Sequence, residues 1–448
     1  MSKLMKVVKR DGSIVDFNPN RISNAIYRAA VAVGGRDRER AEKLGQQAIT
    51  LLEKKYEGKT ELPNVEEIQD MVEKVLIEKG HAKVAKAYIL YRNERATRRK
   101  AHKQLGIQNS DNIPWQKIWH VLDWAVDHGL NTVEGLNKRV KKGEFADIVI
   151  ESEAAYAEDL EHAANHILEK KDEIKIVVVC GPSSSGKTTS TLKLEERLSR
   201  YGMRFVGLNV DHYFFNLSMH PKDEFGDYDF ETPQALDMEL INKHLEQLVA
   251  GKEVLIPFYD FKTGTRKPDH TPMHLGEGDV LLIDSLHGLY PPMTEAVAPE
   301  QKFRVYLEPL LQMKASNGKY VRWTDIRLIR RMLRDAEFRA YDPRETLTHW
   351  HYVRSSELRH IIPNNSNADY IINSAMPYEL PIYTHRLKES FKRWTKKFKD
   401  DPLRTDAYTR AKRVHKLMKE VLPFASETAV PGDSVIREFI GNSTLKYH

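Results

Sequence analysis

Two hydrophobic rhythms divide this chain. Through the first hundred residues apolar positions recur every three or four places, and from residue 174 onward they gather into short unbroken runs separated by helical patterns. The first part opens on a hairpin pattern over 4–17. Met5-Lys6-Val7-Val8-Lys9 leads into the turn Arg10-Asp11-Gly12-Ser13, and Ile14-Val15-Asp16-Phe17 returns; Asp-Gly between alternating apolar residues favours such a turn. Helices are predicted over about 19–33, 36–56, 64–79 and 81–102, the first with Ile22, Ala25, Ile26 and Ala29 on one face. Residues 104–170 read as a helical connection, with Trp115 and Trp119 at helical spacing and Trp124 following, which are expected to dock this segment on a neighbour.

The second rhythm is that of buried parallel strands alternating with helices. Strands are expected at 174–180, 205–210, 280–283, 303–307 and 370–372. The predicted fold is therefore α/β, a parallel sheet flanked by helices behind a small, mostly helical domain with a β-hairpin. The expected division is 1–103, 104–170 and 171–448, the last ending in a helical tail.

The first strand runs into Gly181-Pro-Ser-Ser-Ser-Gly-Lys-Thr-Thr189, which matches G-x-x-x-x-G-K-[ST] in the required strand–loop–helix setting. Gly181 and Gly186 let the backbone turn its N–H groups, through Ser183, Ser184 and Ser185, toward a phosphate at a helix N-terminus. Lys187 would reach the β- and γ-phosphates of ATP and Thr188 would hold Mg²⁺, with Thr189 completing the loop. Ligands of open α/β sheets bind beyond the carboxyl ends of the strands. Asp211 and Asp284 fall at two more such ends. Asp211 is the candidate base for an attacking hydroxyl, and Asp284 the candidate metal-organising acid. Five arginines, Arg327, Arg330, Arg331, Arg334 and Arg339, share one predicted helix that would close over phosphates as a lid. Tyr259 and Phe261 lie in an aromatic stretch able to stack on a planar base.

Charge sharpens this picture. The 448 residues carry 70 Lys+Arg against 64 Asp+Glu, yet the first hundred alone carry 22 against 14. A basic excess confined to that part suits a nucleotide-phosphate site or a nucleic-acid surface. The composition, 41% hydrophobic and 30% charged with mean hydropathy −0.56, is that of a globular domain rather than a membrane span. One cysteine, Cys180, excludes a disulfide framework and a cysteine-built zinc site, and a cytoplasmic enzyme is the expectation.

The blocks GPSSSGKTT, DHYF, DEFGDYDFETPQALD, PFYDFKTGTR, VLLIDSLHGL and DIRLIRRMLRD, in that order, resemble the uridine kinase / phosphoribulokinase family of P-loop kinases over about 160–448. SVIREFIGNS at 434–443 is similar to the tail of bacterial uridine-kinase-like proteins. The resemblance implies an ATP- and Mg²⁺-dependent kinase of a nucleoside 5′-hydroxyl, uridine foremost, with a sugar-phosphate kinase as the alternative. It implies Asp211 as base, Tyr213, Phe230 and Glu231 at the ribose, Tyr259 and Phe261 at the base, Arg327 toward the nucleoside, and Arg330, Arg334 and Arg339 toward phosphates. Three places depart from the family: Asp284-Ser285 replaces Glu-Gly, Arg339-Ala340-Tyr341 replaces R-G-R, and the place of the family's base-reading histidine falls near Gly264, where this chain has none.

Residues 1–100 resemble the ATP-cone domain of ribonucleotide reductases and their repressors, through VVKRDG at 7–12, Arg21-Ile22 and AYILYR at 87–92. This implies a regulatory adenine nucleotide held by Val8, Lys9, Arg10 and Arg21, and a homo-oligomer that responds to it. Neither a membrane nor a nucleic acid is an expected partner, although a nucleotide-sensing, nucleic-acid-binding regulator is the rival from another class.

Overall fold

A computed structural model describes residues 5–8, 14–35, 37–58, 62–90, 92, 113–220 and 231–446. The chain divides into two compact units, one of residues 1–109 with short stretches at 222–227 and 400–405, the other of the remainder.

In the first unit β1 (Lys6–Val8) pairs antiparallel with β2 (Ile14–Asp16), Val7 opposite Val15. The turn between them, with Lys9 and Arg10, lies outside the described residues. Three helices follow: α1 (Asn20–Ala32), α2 (Arg38–Tyr56) and α3 (Val65–Glu78), then a helical run α4 at 82–90. Their apolar stripes meet in one core around Ile26, Ala48, Leu52, Leu76 and Tyr88. The start of α3 is fixed by a capping box, Asn64 Oδ1 accepting from Glu67 N at 2.9 Å and Glu67 Oε2 from Asn64 N at 3.2 Å.

The second unit is organised by five parallel strands in the order β4-β7-β3-β8-β9: β3 (Ile176–Cys180), β4 (Arg204–Asn209), β7 (Asp279–Ser285), β8 (Lys302–Glu308) and β9 (Tyr370–Asn373). A separate antiparallel hairpin, β5 (Val254–Asp260) and β6 (Thr265–Met273), stands outside that sheet. Successive strand residues face opposite ways. Val177 and Val179 therefore enter one core with Leu307 and Ile329, and Ile176 and Val178 enter a second with Ile283 and Leu245. Burial on both faces explains why the strand reads as an unbroken apolar run. Cys180 ends β3 fully buried, its thiol donating to Leu286 O at 3.1 Å, and burial pushes that thiol up to about 11.

Helices α5 (Trp115–Asp127), α6 (Val133–Lys141) and α7 (Phe145–Leu168) belong to the first of these cores: Leu136, Ile148, Leu160 and Ile167 pack with the sheet residues. The tryptophans correct one expectation. Trp115 and Trp119 are 57% and 65% exposed, and only Trp124 packs on the core. Helical spacing placed the first two on one face; that face looks outward.

Candidate functional site

The loop from Gly181 to Gly186 links β3 to α8 (Lys187–Ser199) at the carboxyl end of the central strand. Two glycines are demanded by geometry. A Cβ on Gly181 would sit 2.3 Å from Leu307 O, and Gly186 caps the helix at φ +91°. Ser184 also takes a left-handed φ, +61°. Ser184 Oγ and Ser185 Oγ are buried without a hydrogen-bond partner among the described residues. Buried hydroxyls beside the N–H groups of a helix start form a donor set that fits a polyphosphate.

A loop that turns its N–H groups inward turns carbonyls outward, and those need donors from behind. They come from α10 (Trp323–Arg339). Arg327 donates to Ser183 O at 3.1 Å and is held by Glu357, one leg at 3.0 Å. Arg330 donates to Ser374 O at 2.7 Å, approaches Ser185 O at 3.5 Å and forms a fork with Glu379 at 2.7 and 3.1 Å. Ser374 Oγ also donates to Ser185 O. Both guanidiniums are fully buried. This corrects the expected lid: Arg327 and Arg330 brace the loop from its outer side rather than facing a nucleoside or phosphates. Arg331, Arg334 and Arg339 keep access to solvent, 22%, 20% and 59% exposed, and lean on Asp335 at 3.4, 3.6 and 3.4 Å. Burial, then repulsion from Arg339, lowers Arg334 from the usual guanidinium value.

On the β4 side, Asp211 lies in a short turn, Val210–Tyr213, its N–H bonded to Asn209 Oδ1 at 3.0 Å. The residue is exposed at the mouth of the site, while the protein crowding one side of its carboxylate strips away part of its water. That desolvation raises its pKa above the ordinary carboxylate value, and the nearby Lys187 ammonium opposes the rise. Asp284 is the penultimate residue of β7, one strand away from the loop and paired in register with Val179, and Thr188 sits in the first turn of α8, partly exposed. Carboxylate and hydroxyl oxygens are the ligands a hard divalent cation takes.

Glu231 stands beside the loop, bonded to Arg331 at 3.1 Å, and Arg331 also donates to Ser183 Oγ at 3.1 Å. Phe230 lies outside the described residues. Tyr259 is buried with its hydroxyl unpartnered, its ring 5.0 Å from Phe261 and 5.5 Å from Phe214. Phe261 is 62% exposed. Tyr213 is not brought to the mouth with Asp211. It is fully buried in the second core, its hydroxyl against His244 Nδ1 at 2.9 Å. His287, just past β7, carries an unpartnered buried Nδ1, and burial pushes it down to about 3, so its ring is neutral.

Sequence reasoning missed two participants, Glu357 and Glu379, which lie 30 and 49 residues from the arginines they hold, and it placed Arg331 in the lid without its bond to Glu231. A cavity of about 750 Å³ between α5, α7 and β9, lined in part by Lys117, His120, Trp124 and Tyr370, borders none of the loop residues.

In the first unit Val8 is described, its N–H bonded to Pro63 O at 3.0 Å, and Arg21 is exposed near the start of α1. No helix among the described residues is long and apolar enough to cross a membrane.

Comparison with known proteins agrees with this division. Residues 176–380 match the Phosphoribulokinase / Uridine kinase family, and residues 5–97 match the ATP cone domain. A uridine kinase of Deinococcus deserti is 29% identical over 198 residues, 44% of this chain and 86% of that enzyme. A vitamin B12-dependent ribonucleoside-diphosphate reductase of Thermoplasma acidophilum is 40% identical over 111 residues, 24% of this chain and 14% of the reductase. A solved structure of a possible uridine kinase from Bacillus stearothermophilus aligns with a TM-score of 0.30 at 18% identity, covering 48% of this chain and 98% of that one. Residues 176–380, in the second unit, are thus similar to kinases of the phosphoribulokinase / uridine kinase family, and residues 5–97, in the first, are similar to the ATP cone domain.

Proposed function

We propose that the chain transfers the γ-phosphoryl group of ATP to the 5′-hydroxyl of a ribonucleoside, uridine foremost, and that the cone adjusts this activity by binding an adenine nucleotide. The observation that carries the reading is that Asp211, Lys187 and Glu231 converge on the rim of one phosphate loop. Uridine kinases among the relatives support the choice of acceptor. Magnesium bound with the nucleotide would neutralise charge on the transferring phosphoryl group. Thr188 and Asp284 are the residues suited to hold it. Lys187 supplies fixed positive charge at the loop, and Arg334 and Arg339 supply more from α10. Asp211 accepts the proton of the acceptor hydroxyl. Glu231, oriented by Arg331, takes the ribose diol, and Tyr259 with Phe261 borders the base.

A carboxylate built to receive two ribose hydroxyls discriminates against a substrate lacking one. Deoxyuridine is expected to show kcat/KM about 10-fold or more below uridine, since a charged hydrogen bond contributes about 1.5–3 kcal/mol. Coupled assay of ADP release across nucleosides and sugar phosphates reads this directly. Equal values would remove Glu231 from the diol, and a preference for ribulose 5-phosphate would replace the nucleoside reading by the sugar-phosphate one.

The cone proposal has its own test. Regulation requires a nucleotide that binds two global states unequally. Mass photometry of Lys187→Ala with ATP, ADP and dATP is expected to show a shift in subunit number that depends on which nucleotide is present. A distribution indifferent to all three would refute cone-driven assembly.

A further inference from the structure

The nucleoside part of a phosphate donor can leave this loop on one side only. The base Asp211 follows β4, which with β7 and its Asp284 lies to one side of β3. In-line transfer places acceptor and leaving nucleotide at opposite ends of the phosphate chain. The base must therefore depart toward β8 and β9, where Ser374 stands. That side is filled. The segment Ser434–Gly441, containing the short helix α14 (Arg437–Ile440), lies against the loop. A Cβ on Gly186 would meet Val435 Cγ2 at 2.4 Å, and the Phe439 ring lies 5.0 Å from the Arg330 guanidinium.

Glu438 is the telling residue. Its Oε2 accepts from Thr189 N at 3.2 Å and from Thr189 Oγ1 at 2.9 Å, and the residue is 7% exposed. Thr189 is the third residue of α8, so its N–H belongs to the unsatisfied first turn that an anion seeks. The charge also acts on Arg330 and Arg334. A carboxylate oxygen on a helix-start N–H and a hydroxyl, within the field of two arginines, occupies the surroundings of a nucleotide phosphate nearest its nucleoside. The segment is anchored independently of that contact, by Ser434 Oγ against Tyr378 at 2.9 Å and by Lys193 on Asp433 at 2.8 Å.

We propose that Ser434–Gly441 is a built-in competitor for the phosphate loop: Glu438 stands in for a phosphate oxygen, and the nucleotide must displace it to bind. This rests on the reading of the loop as the nucleotide site. The segment thereby sets nucleotide affinity without touching the acceptor side. Binding of a nucleotide and release of the segment are then two faces of one equilibrium.

The test measures ADP-Mg²⁺ affinity by calorimetry on the full chain, with Lys187→Ala as the reference that retains any binding at the cone. Glu438→Gln keeps the shape and removes the charge. It is expected to tighten the Lys187-dependent site about 5-fold or more, the lower end of ordinary coupling between competing states. Saturating ADP is expected to speed amide exchange over 434–441 in the unaltered chain, a readout that decides the matter even if Glu438→Gln fails to fold. Unchanged or weaker ADP binding in a folded Glu438→Gln, or exchange over 434–441 that ADP leaves as slow as before, overturns the proposal. If Lys187→Ala binds ADP as the unaltered chain does, the loop is not the nucleotide site and the functional reading itself fails; binding lost in Lys187→Ala but unmoved by Glu438→Gln sinks the competitor alone.

Discussion

Asp211→Asn is expected to lower kcat by about 10²–10⁴-fold, the usual worth of a general base, and to leave the fold intact. The residue is exposed, and the hydrogen bond that fixes its backbone runs from its own N–H to Asn209, so an isosteric amide leaves that bond in place. The same residue fixes the sign of the pH dependence. A base works only when ionised. Loss of water around Asp211 raises its pKa, with Lys187 opposing, so the acid limb of kcat/KM should begin above the range of an ordinary carboxylate. The limb should vanish with Asp211→Asn. Near-normal turnover in that variant, or an acid limb unchanged by it, would assign the proton to another group.

Removing Arg330 should act on stability before it acts on rate. The guanidinium and Glu379 are both fully buried and bonded through two parallel contacts. Breaking such a pair from one side leaves an uncompensated charge and costs about 3–5 kcal/mol. Arg330→Met should therefore shift the denaturant midpoint strongly downward. Arg330→Met with Glu379→Leu should recover much of the loss, because the stranded charge goes too, although Ser374 O still lacks its donor. A lid residue would give the opposite result: a slow enzyme of normal stability, with no rescue by the second change.

That contrast marks where the sequence was readable. The phosphate loop was legible because its pattern, from the strand before to the helix after, is contiguous in the chain. Asp211 and Asp284 were legible because a strand end is a local event and its ligand-binding sense follows from topology. The arginine helix was legible as a helix but not in its facing. Which arginines turn inward depends on Glu357 and Glu379, and nothing in the spacing of Arg327 and Arg330 points to partners so far along the chain. Tyr213 failed for a similar reason. It follows Asp211 by two residues, but the turn there carries the ring into the second core, where His244 receives it. Glu438 sits in a block recognisable by resemblance, yet only the fold brings it 249 residues back to Thr189.

The solitary thiol at the end of β3 makes this protein its own reporter. Alkylating reagents attack the thiolate, and Cys180 is both sealed from solvent and held protonated up to about pH 11. No second cysteine contributes background. The rate at which the native chain is labelled is therefore a clock for one event, the opening of the central strand directly beneath the phosphate loop. Any ligand seated on that loop must slow the clock in proportion to how firmly it closes the strand. Occupancy can thus be followed by mass alone, with no substrate turned over.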